Sequence, residues 1–251
     1  MGERASARMW TSAQEPPEDS PEWVSRERRR IRDALLSTHP FPYPCHFGAI
    51  GEAAGNNYYT FMNLRRDFSG EVAAVARDLV HFIGIQRGSP EERLSFLLMV
   101  GPPSGERDFA GYRALFWKVL SGLHSSDRGP RPPDVPDDPD DPKWDFNFDG
   151  ERLFSFGMCP AYGPRRSRAL GQCLLIAMQS RSVFGNIGGS TAAGRAAKRR
   201  IRRSLSRYED VPLLSDSGDG LGSTAEKWKQ YFPEIDGRPL TGGCPIRWER
   251  R

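Results

Sequence analysis

Two short, unbroken apolar runs constrain the fold of this chain more than any other feature. The first is Leu94–Val100 (LSFLLMV), which a Gly-Pro-Pro sequence ends, and the second is Cys173–Met178 (CLLIAM). An apolar run of this length without polar alternation is typical of a strand that lies deep in a sheet. Both segments are therefore predicted to be buried strands.

The segments around these runs have the periods of further strands and of amphipathic helices. Tyr58–Leu64 is predicted to be a strand, and Asp149-Gly150 between Trp144–Phe148 and Leu153–Phe156 indicates a hairpin. A helix opens at Ser20-Pro21, but its apolar stripe is sparse, so it is predicted to lie on the surface. The other predicted helices are Glu71–Phe82 (closed by Gly84), Phe109–Leu123, Arg195–Arg207 and Thr224–Tyr231.

The order of these elements sets the fold class. The sequence predicts β-α-β-α-β-β-β with helices at both ends, an order that favours a single α+β domain. We expect a mixed β-sheet with helices packed on it and with peripheral N- and C-terminal helices. Residues 20–251 form the predicted domain, and residues 1–19 are polar enough to be a disordered leader.

Composition and motifs exclude several classes of protein. No stretch approaches the roughly 18 apolar residues of a membrane span, and the polar start lacks a signal peptide's apolar region. The four cysteines form no C-x-x-C pair, which favours reduced thiols and a cytoplasmic protein. None of the four histidines has zinc-site spacing, and G-x-S-x-G and the phosphate-binding G-x-x-x-x-G-K-[ST] are absent. A net charge of +4 does not by itself indicate nucleic-acid binding.

Several motifs, in the same order along the chain, resemble the YqcI/YcgG family. They run from near Phe41 to Pro245 and are Phe41–Gly48 (FPYPCHFG), Phe116-Trp117 with Leu123-His124 and Asp127, Asp141–Phe146, Cys159–Tyr162 with Arg165–Arg168, Gln179–Phe184, Trp228–Phe232 and Cys244-Pro245. Each motif is weak alone, but together they are specific.

The resemblance implies a function. The characterised members of that family are haem proteins that hydroxylate nitrogen in arginine or in a related guanidine. The resemblance therefore implies that this chain is a haem-dependent N-oxygenase with a b-type haem and a small cationic substrate such as L-arginine. The iron would use dioxygen with an electron donor, or peroxide.

Three residues compete for the axial position of such a haem. His124 is the first choice because it follows the core-facing helix Phe109–Leu123 and would lie at the rim of the core. At the end of a helix, however, a histidine also interacts with free carbonyl groups. Cys45 and His46 lie in a rigid, proline-rich turn that leads to the sheet, and either could be a ligand.

Other side chains have predicted roles around the haem and the substrate. Arg165, Arg166 and Arg168 suit carboxylates, either the haem propionates or the carboxylate of an amino acid. Trp144 and Phe146 either line the macrocycle or belong to the core of the sheet. A buried guanidinium also needs a counter-charge, and the acidic residues nearest the family motifs are Glu52, Asp127 and Asp145.

Two other functions stay open. One is a haem-binding or haem-sensing protein without turnover. The other is a cofactor-free interaction protein that uses the basic helix Arg195–Arg207, a surface that would also suit an acidic electron donor. Nucleic acid is the weaker option, because no reader motif accompanies this helix. The sequence leaves a homodimer open.

Overall fold

The computed structural model describes residues 8–102, 107–183, 192–213 and 226–246, which contain one mixed sheet. Six strands lie in the order β1-β2-β3-β6-β5-β4. Their bounds are β1 Trp10–Thr11, β2 Asn57–Asn63, β3 Ser95–Gly101, β4 Phe146–Phe148, β5 Glu151–Met158 and β6 Leu174–Ser180.

The pairing of these strands follows from their connections. β2 and β3 are parallel, because α3 (Phe68–Gly88) crosses between them, and every other pair is antiparallel. β3 and β6 are central and buried along their whole length, as the two unbroken apolar runs predict. The hairpin between β4 and β5 is also confirmed, with positive φ at Asp149 (47°) and Gly150 (72°).

Helices cover both faces of the sheet. The side chains of β3 alternate between them: Phe96 and Leu98 pack with α3 and with α4 (Phe109–Ser126), whereas Leu97 and Met99 pack with α1 (Glu22–Leu36). A short helix, α2 (His46–Ala54), packs against α1. We call the two sides the α3/α4 face and the α1/α2 face. The single α+β domain with a mixed sheet is thus confirmed.

The start of the chain differs from the predicted disordered leader. Residues 8–19 belong to the domain, because Trp10 is only 4 % exposed and stacks on Tyr59 with ring centroids 6.0 Å apart. Arg8 forms an ion pair with the buried Glu71 at 2.8 Å. Residues 1–7 lie outside the described residues. Residues 8–19 pack on the domain although they are mostly polar, because Trp10 is a large apolar side chain that is buried at the edge of the sheet.

The predicted helices differ from the structure in three places. α1 does not lie loosely on the surface, since Val24 and Ile31 are fully buried against the sheet. α3 continues past Gly84 and ends at Gly88. Of the predicted Thr224–Tyr231 helix, the structure describes a 3-10 turn over Lys227–Gln230.

The C-terminal basic segment is helical, as predicted. α5 spans Ala192–Tyr208, and its described arginine side chains are exposed. Among the residues that the structure describes, no helix is long and apolar enough to cross a membrane.

Candidate functional site

The residues that the sequence nominates for a site do not converge on one place. Cys45 caps the start of α2, and His46 and Glu52 are residues of that helix, which lies on the α1/α2 face. His124 and Asp127 lie at the end of α4 on the α3/α4 face. Asp145 precedes β4, Trp144 and Phe146 are in the core of the α3/α4 face, and Arg165, Arg166 and Arg168 follow β5.

A cavity with mostly apolar walls lies on the α1/α2 face, at the start of α2. It encloses about 410 Å³ of empty space, including the part open to solvent, but only about 30 Å³ admits the centre of a water-sized molecule. We call it the apolar cavity. Its polar groups come from Tyr43, Cys45, Asn57, Ser95 and Gln179, and its apolar walls are formed by Leu35, Leu97, Phe156, Met158, Leu170, Leu175 and Ala177.

Cys45 is a cavity-lining residue whose side chain is of a type that can bind iron. Its side chain caps α2, because Sγ accepts a hydrogen bond from the backbone N–H of Gly48 at 3.4 Å. Burial raises the pKa of the Cys45 thiol, and the hydrogen bond from Gly48 and the charge of Arg168 oppose that rise only in part. His46 follows directly as the first residue of the helix. Of the two candidate ligands at the start of α2, Cys45 therefore lines the apolar cavity.

Glu52 is held in a buried polar cluster behind the cavity. Its Oε2 accepts hydrogen bonds from Nδ2 of Asn57 at 3.0 Å and from the hydroxyl of Tyr59 at 2.7 Å, and its Oε1 lies 2.7 Å from Nη2 of Arg28. The guanidinium of Arg28 stacks on the Tyr59 ring, 4.3 Å from its centroid. The carboxylate that the sequence assigns to a substrate cation is thus neutralised by an arginine of the protein.

A second, polar cavity lies on the other side of Glu52. About 600 Å³ of it admits the centre of a water-sized molecule, and it runs between α1, the end of α2 and the loop after β1. Its charged lining residues are Glu15, Arg28, Arg29, Arg32 and Glu52. We call it the arginine cleft.

The α4 residues have different surroundings. Oδ1 of Asp127 accepts hydrogen bonds from the backbone N–H groups of Gly129 (2.8 Å) and Asp149 (3.1 Å), which ties the end of α4 to the β4–β5 turn. His124 lines neither cavity.

The two aromatic candidates belong to the core. Trp144 and Phe146 are fully buried, and Trp144 packs near Tyr231, with ring centroids 6.2 Å apart.

Asp145 is fully buried among three cations. Arg181 (2.6 Å), Arg152 (2.7 Å) and Lys227 (3.1 Å) all reach its carboxylate. Burial lowers the pKa of Lys227, and the charge of Asp145 opposes that effect. The carboxylate therefore holds β4, β5, β6 and the C-terminal segment together, and its charge is already matched within the protein.

Arg165, Arg166 and Arg168, which we call the arginine cluster, donate hydrogen bonds to backbone carbonyl groups. Arg165 donates to the carbonyl oxygens of Ile235 (2.7 Å) and Pro212 (3.1 Å), and Arg166 donates to that of Tyr208 (2.6 Å). Burial lowers the pKa of Arg165. Arg168 donates to the carbonyl of Gly157 (3.1 Å) and lies over the ring of Phe156, 5.0 Å from its centroid. Because Phe156 lines the apolar cavity, Arg168 is the member of the cluster that lies beside that cavity.

Sequence reasoning missed the polar side chains around these cavities. Asn57, Tyr59, Ser95 and Gln179 are strand residues, and Nε2 of Gln179 donates to Oγ of Ser95 at 2.8 Å. A polar residue in a strand pattern gives no signal of whether it faces solvent or a cavity. The arginines of α1 belong to a helix that the sequence predicts to lie on the surface, so they gave no signal of a cleft.

Comparison with known proteins identifies relatives for most of the chain. The sequence profile of the YqcI/YcgG family matches residues 32–247. Two Bacillus subtilis (strain 168) proteins match: "Uncharacterized protein YcgG", 37% identical over 137 residues (55% of this chain, 53% of the relative), and "Uncharacterized protein YqcI", 34% over 135 residues (54% and 52%).

A third relative has a name that states an activity. It is the "Putative N(omega)-hydroxy-L-arginine synthase DcsA" of Streptomyces lavendulae, which is 34% identical over 135 residues (54% of this chain, 51% of the relative). The matched segment spans about half the length of each of these curated relatives. No solved structure matches.

Proposed function

The chain belongs to the YqcI/YcgG family, and from that premise we propose that it is an N-oxygenase with a b-type haem. It would hydroxylate a guanidine or amine nitrogen of arginine or of a related small cationic metabolite. The observation that carries this proposal is the Streptomyces lavendulae relative, whose name states the synthesis of N(omega)-hydroxy-L-arginine.

The apolar cavity is our proposed haem site. Most of its walls are apolar, and Cys45 would hold the iron once its thiol, whose pKa burial raises, has lost its proton; the neighbouring His46 is the alternative ligand. Arg168, beside the cavity, would meet a propionate. A space of about 30 Å³ is too small for a haem, so haem would enter this site only if the walls of the cavity moved apart. We prefer this site to one at His124, which lines neither cavity.

The protein's own groups would supply binding and orientation. Bound haem would supply the activation of dioxygen, with electrons from a donor, or of peroxide. Asn57 is fully buried, and its side-chain nitrogen is fixed by the carbonyl of Gly48 (3.1 Å) and by Glu52 (3.0 Å). Its Oδ1 has no hydrogen-bond partner among the described residues but is buried against Gly51 of α2, so it would accept from a substrate N–H only after α2 moved. The apolar walls would exclude bulk water from the reacting nitrogen.

Product analysis tests this proposal. The purified full-length chain is supplemented with haem and given L-arginine with reductant and oxygen, or with peroxide. We expect mass spectrometry to detect a product with one added oxygen atom, and no such product without haem. A protein that takes up haem but leaves arginine and its analogues unchanged would support the haem-binding or haem-sensing alternative.

The cofactor-free alternative has its own observation. Arg199, Arg200, Arg202 and Arg203 of α5 are exposed, and together they make a basic surface on which an acidic partner could bind. Failure to bind any haem, together with salt-dependent binding of an acidic protein, would favour this function.

A further inference from the structure

We infer that the arginine cleft is a binding site for the main-chain groups of an α-amino acid. The carboxylate of the ligand would bind Arg29 and Arg32, and its ammonium group would lie near Glu15. This inference rests on the proposed function only in naming L-arginine as the amino acid. It moves the carboxylate anchor from Arg165–Arg168, whose guanidinium groups bind backbone carbonyls, to α1.

The distribution of ion pairs along α1 singles out the cleft. Three of the five arginines of α1 are paired: Arg26 with Glu22 (2.6 Å), Arg28 with Glu52 (2.7 Å) and Arg30 with Glu27 (2.6 Å). Arg29 and Arg32 make no ion pair with any residue that the structure describes. These two unpaired arginines both line the cleft, and they are adjacent because they lie three positions apart on one helix.

The remaining charges of the cleft favour a zwitterion over a polyanion. Arg28 and Glu52 neutralise each other, which leaves Arg29 and Arg32 on α1 and Glu15 on the loop after β1. Two guanidinium groups suit a carboxylate, because each presents several N–H donors in a plane. An acidic group in the same cleft attracts an ammonium group and repels a second negative charge. The space of about 600 Å³ lies in the range of small-molecule sites.

The wall of the cleft also has buried donors that lack an acceptor. Arg28 is 6 % exposed, and its Nε and Nη1 have no hydrogen-bond partner among the described residues. Leaving such donors unsatisfied is unfavourable. A polar ligand and its bound water in the cleft could satisfy them after a small movement of the side chain.

The cleft and the apolar cavity share a wall. Glu52 lines the cleft, Asn57 lines the apolar cavity, and the two side chains are hydrogen-bonded at 3.0 Å. An amino acid held by its main-chain groups in the cleft would therefore lie next to the proposed haem site.

Calorimetric titration of the full-length chain tests the inference, before and after haem supplementation. We expect L-arginine to bind, and agmatine, which lacks the carboxylate, to bind about tenfold more weakly or worse, as the loss of a charge-assisted contact predicts. The double substitution Arg29→Gln, Arg32→Gln should weaken L-arginine binding by a similar factor. Arg26→Gln is the matched control, because Arg26 is exposed on the same helix but does not line the cleft, and it should leave binding unchanged.

The outcomes separate this inference from the proposed function. Equal affinities for agmatine and L-arginine, unchanged binding in the folded double variant, or no binding of L-arginine would each overturn the inference. If L-arginine binds as expected but never gains oxygen, the inference stands and the proposed function fails. If the double variant oxygenates L-arginine with unchanged kcat/KM, the function stands and the cleft is not its anchor.

Discussion

At the scale of single residues, the structure shows that three carboxylates with the same predicted role have different partners. Glu52, Asp127 and Asp145 are equally good candidates for a guanidinium partner when only the chain order is known. In the fold, Asp127 binds backbone N–H groups, Asp145 binds three cations and Glu52 binds Arg28. These partners come from distant parts of the chain, so no local pattern could have predicted them.

The buried charge of Asp145 leads to a prediction about stability. Asp145→Asn should lower the free energy of unfolding by about 3–5 kcal/mol, because three buried or half-buried cations lose their common counter-charge. Asp134→Asn is the control, since Asp134 is a solvent-exposed partner of the same Arg152 and should cost less than about 1 kcal/mol. Urea unfolding measures both. Equal losses in the two variants would contradict the role we give to Asp145.

At Gly157, the packing of two aromatic rings leaves no room for a side chain. A β-carbon built there would lie 2.5 Å from Cδ2 of Phe232 and 2.9 Å from Cδ2 of Phe116, and both rings are fully buried. Gly157→Ala should therefore destabilise the fold by about 1–3 kcal/mol. Gly84→Ala should instead stabilise it by up to about 1 kcal/mol, because Gly84 is an exposed helical residue with nothing within 4 Å of the new carbon. A thermal melt in which both variants change in the same direction would refute this assignment.

At the scale of elements, long and strongly periodic segments were predictable and short ones were not. β3, β6, α4 and the β4–β5 hairpin follow directly from apolar runs, from three- and four-residue steps and from Asp149-Gly150. α2 was missed because its nine residues include two glycines and follow a proline-rich segment. β1 has only two residues, and its pairing with β2 is a long-range contact.

The burial of β1 predicts that the start of the chain matters for stability. Trp10→Ala should cost about 3 kcal/mol or more, because the indole stacks on Tyr59 and packs against the α1/α2 face. Trp10→Phe should lose clearly less, since an aromatic ring is kept. Deletion of residues 1–19 should lower Tm at least as much as Trp10→Ala. An unchanged Tm after that deletion would support the prediction of a disordered leader and contradict the role we give to Trp10.

At the scale of the whole molecule, the sheet divides the candidate site. Fold class and family were predictable, because they depend on element order and on motifs spread over most of the chain. The separation of His124 from Cys45 and His46 was not, since it depends on which face each helix covers. Both cavities lie on the α1/α2 face and adjoin at Glu52 and Asn57, so the proposed cofactor and substrate sites are on the same side of the sheet.

A haem titration followed by absorption spectroscopy tests this account most directly. We predict that the wild-type chain develops a Soret band that saturates at about one haem per chain, as one cavity with one axial ligand requires. His124→Ala should keep the band. Ala177→Val and Ala177→Phe, which fill the apolar cavity from β6, should weaken and abolish it in that order; the smaller substitution is included because the phenylalanine overpacks the core, and circular dichroism checks the fold of both. No Soret band in the wild type, or a band lost in His124→Ala and kept in Ala177→Phe, would contradict the account.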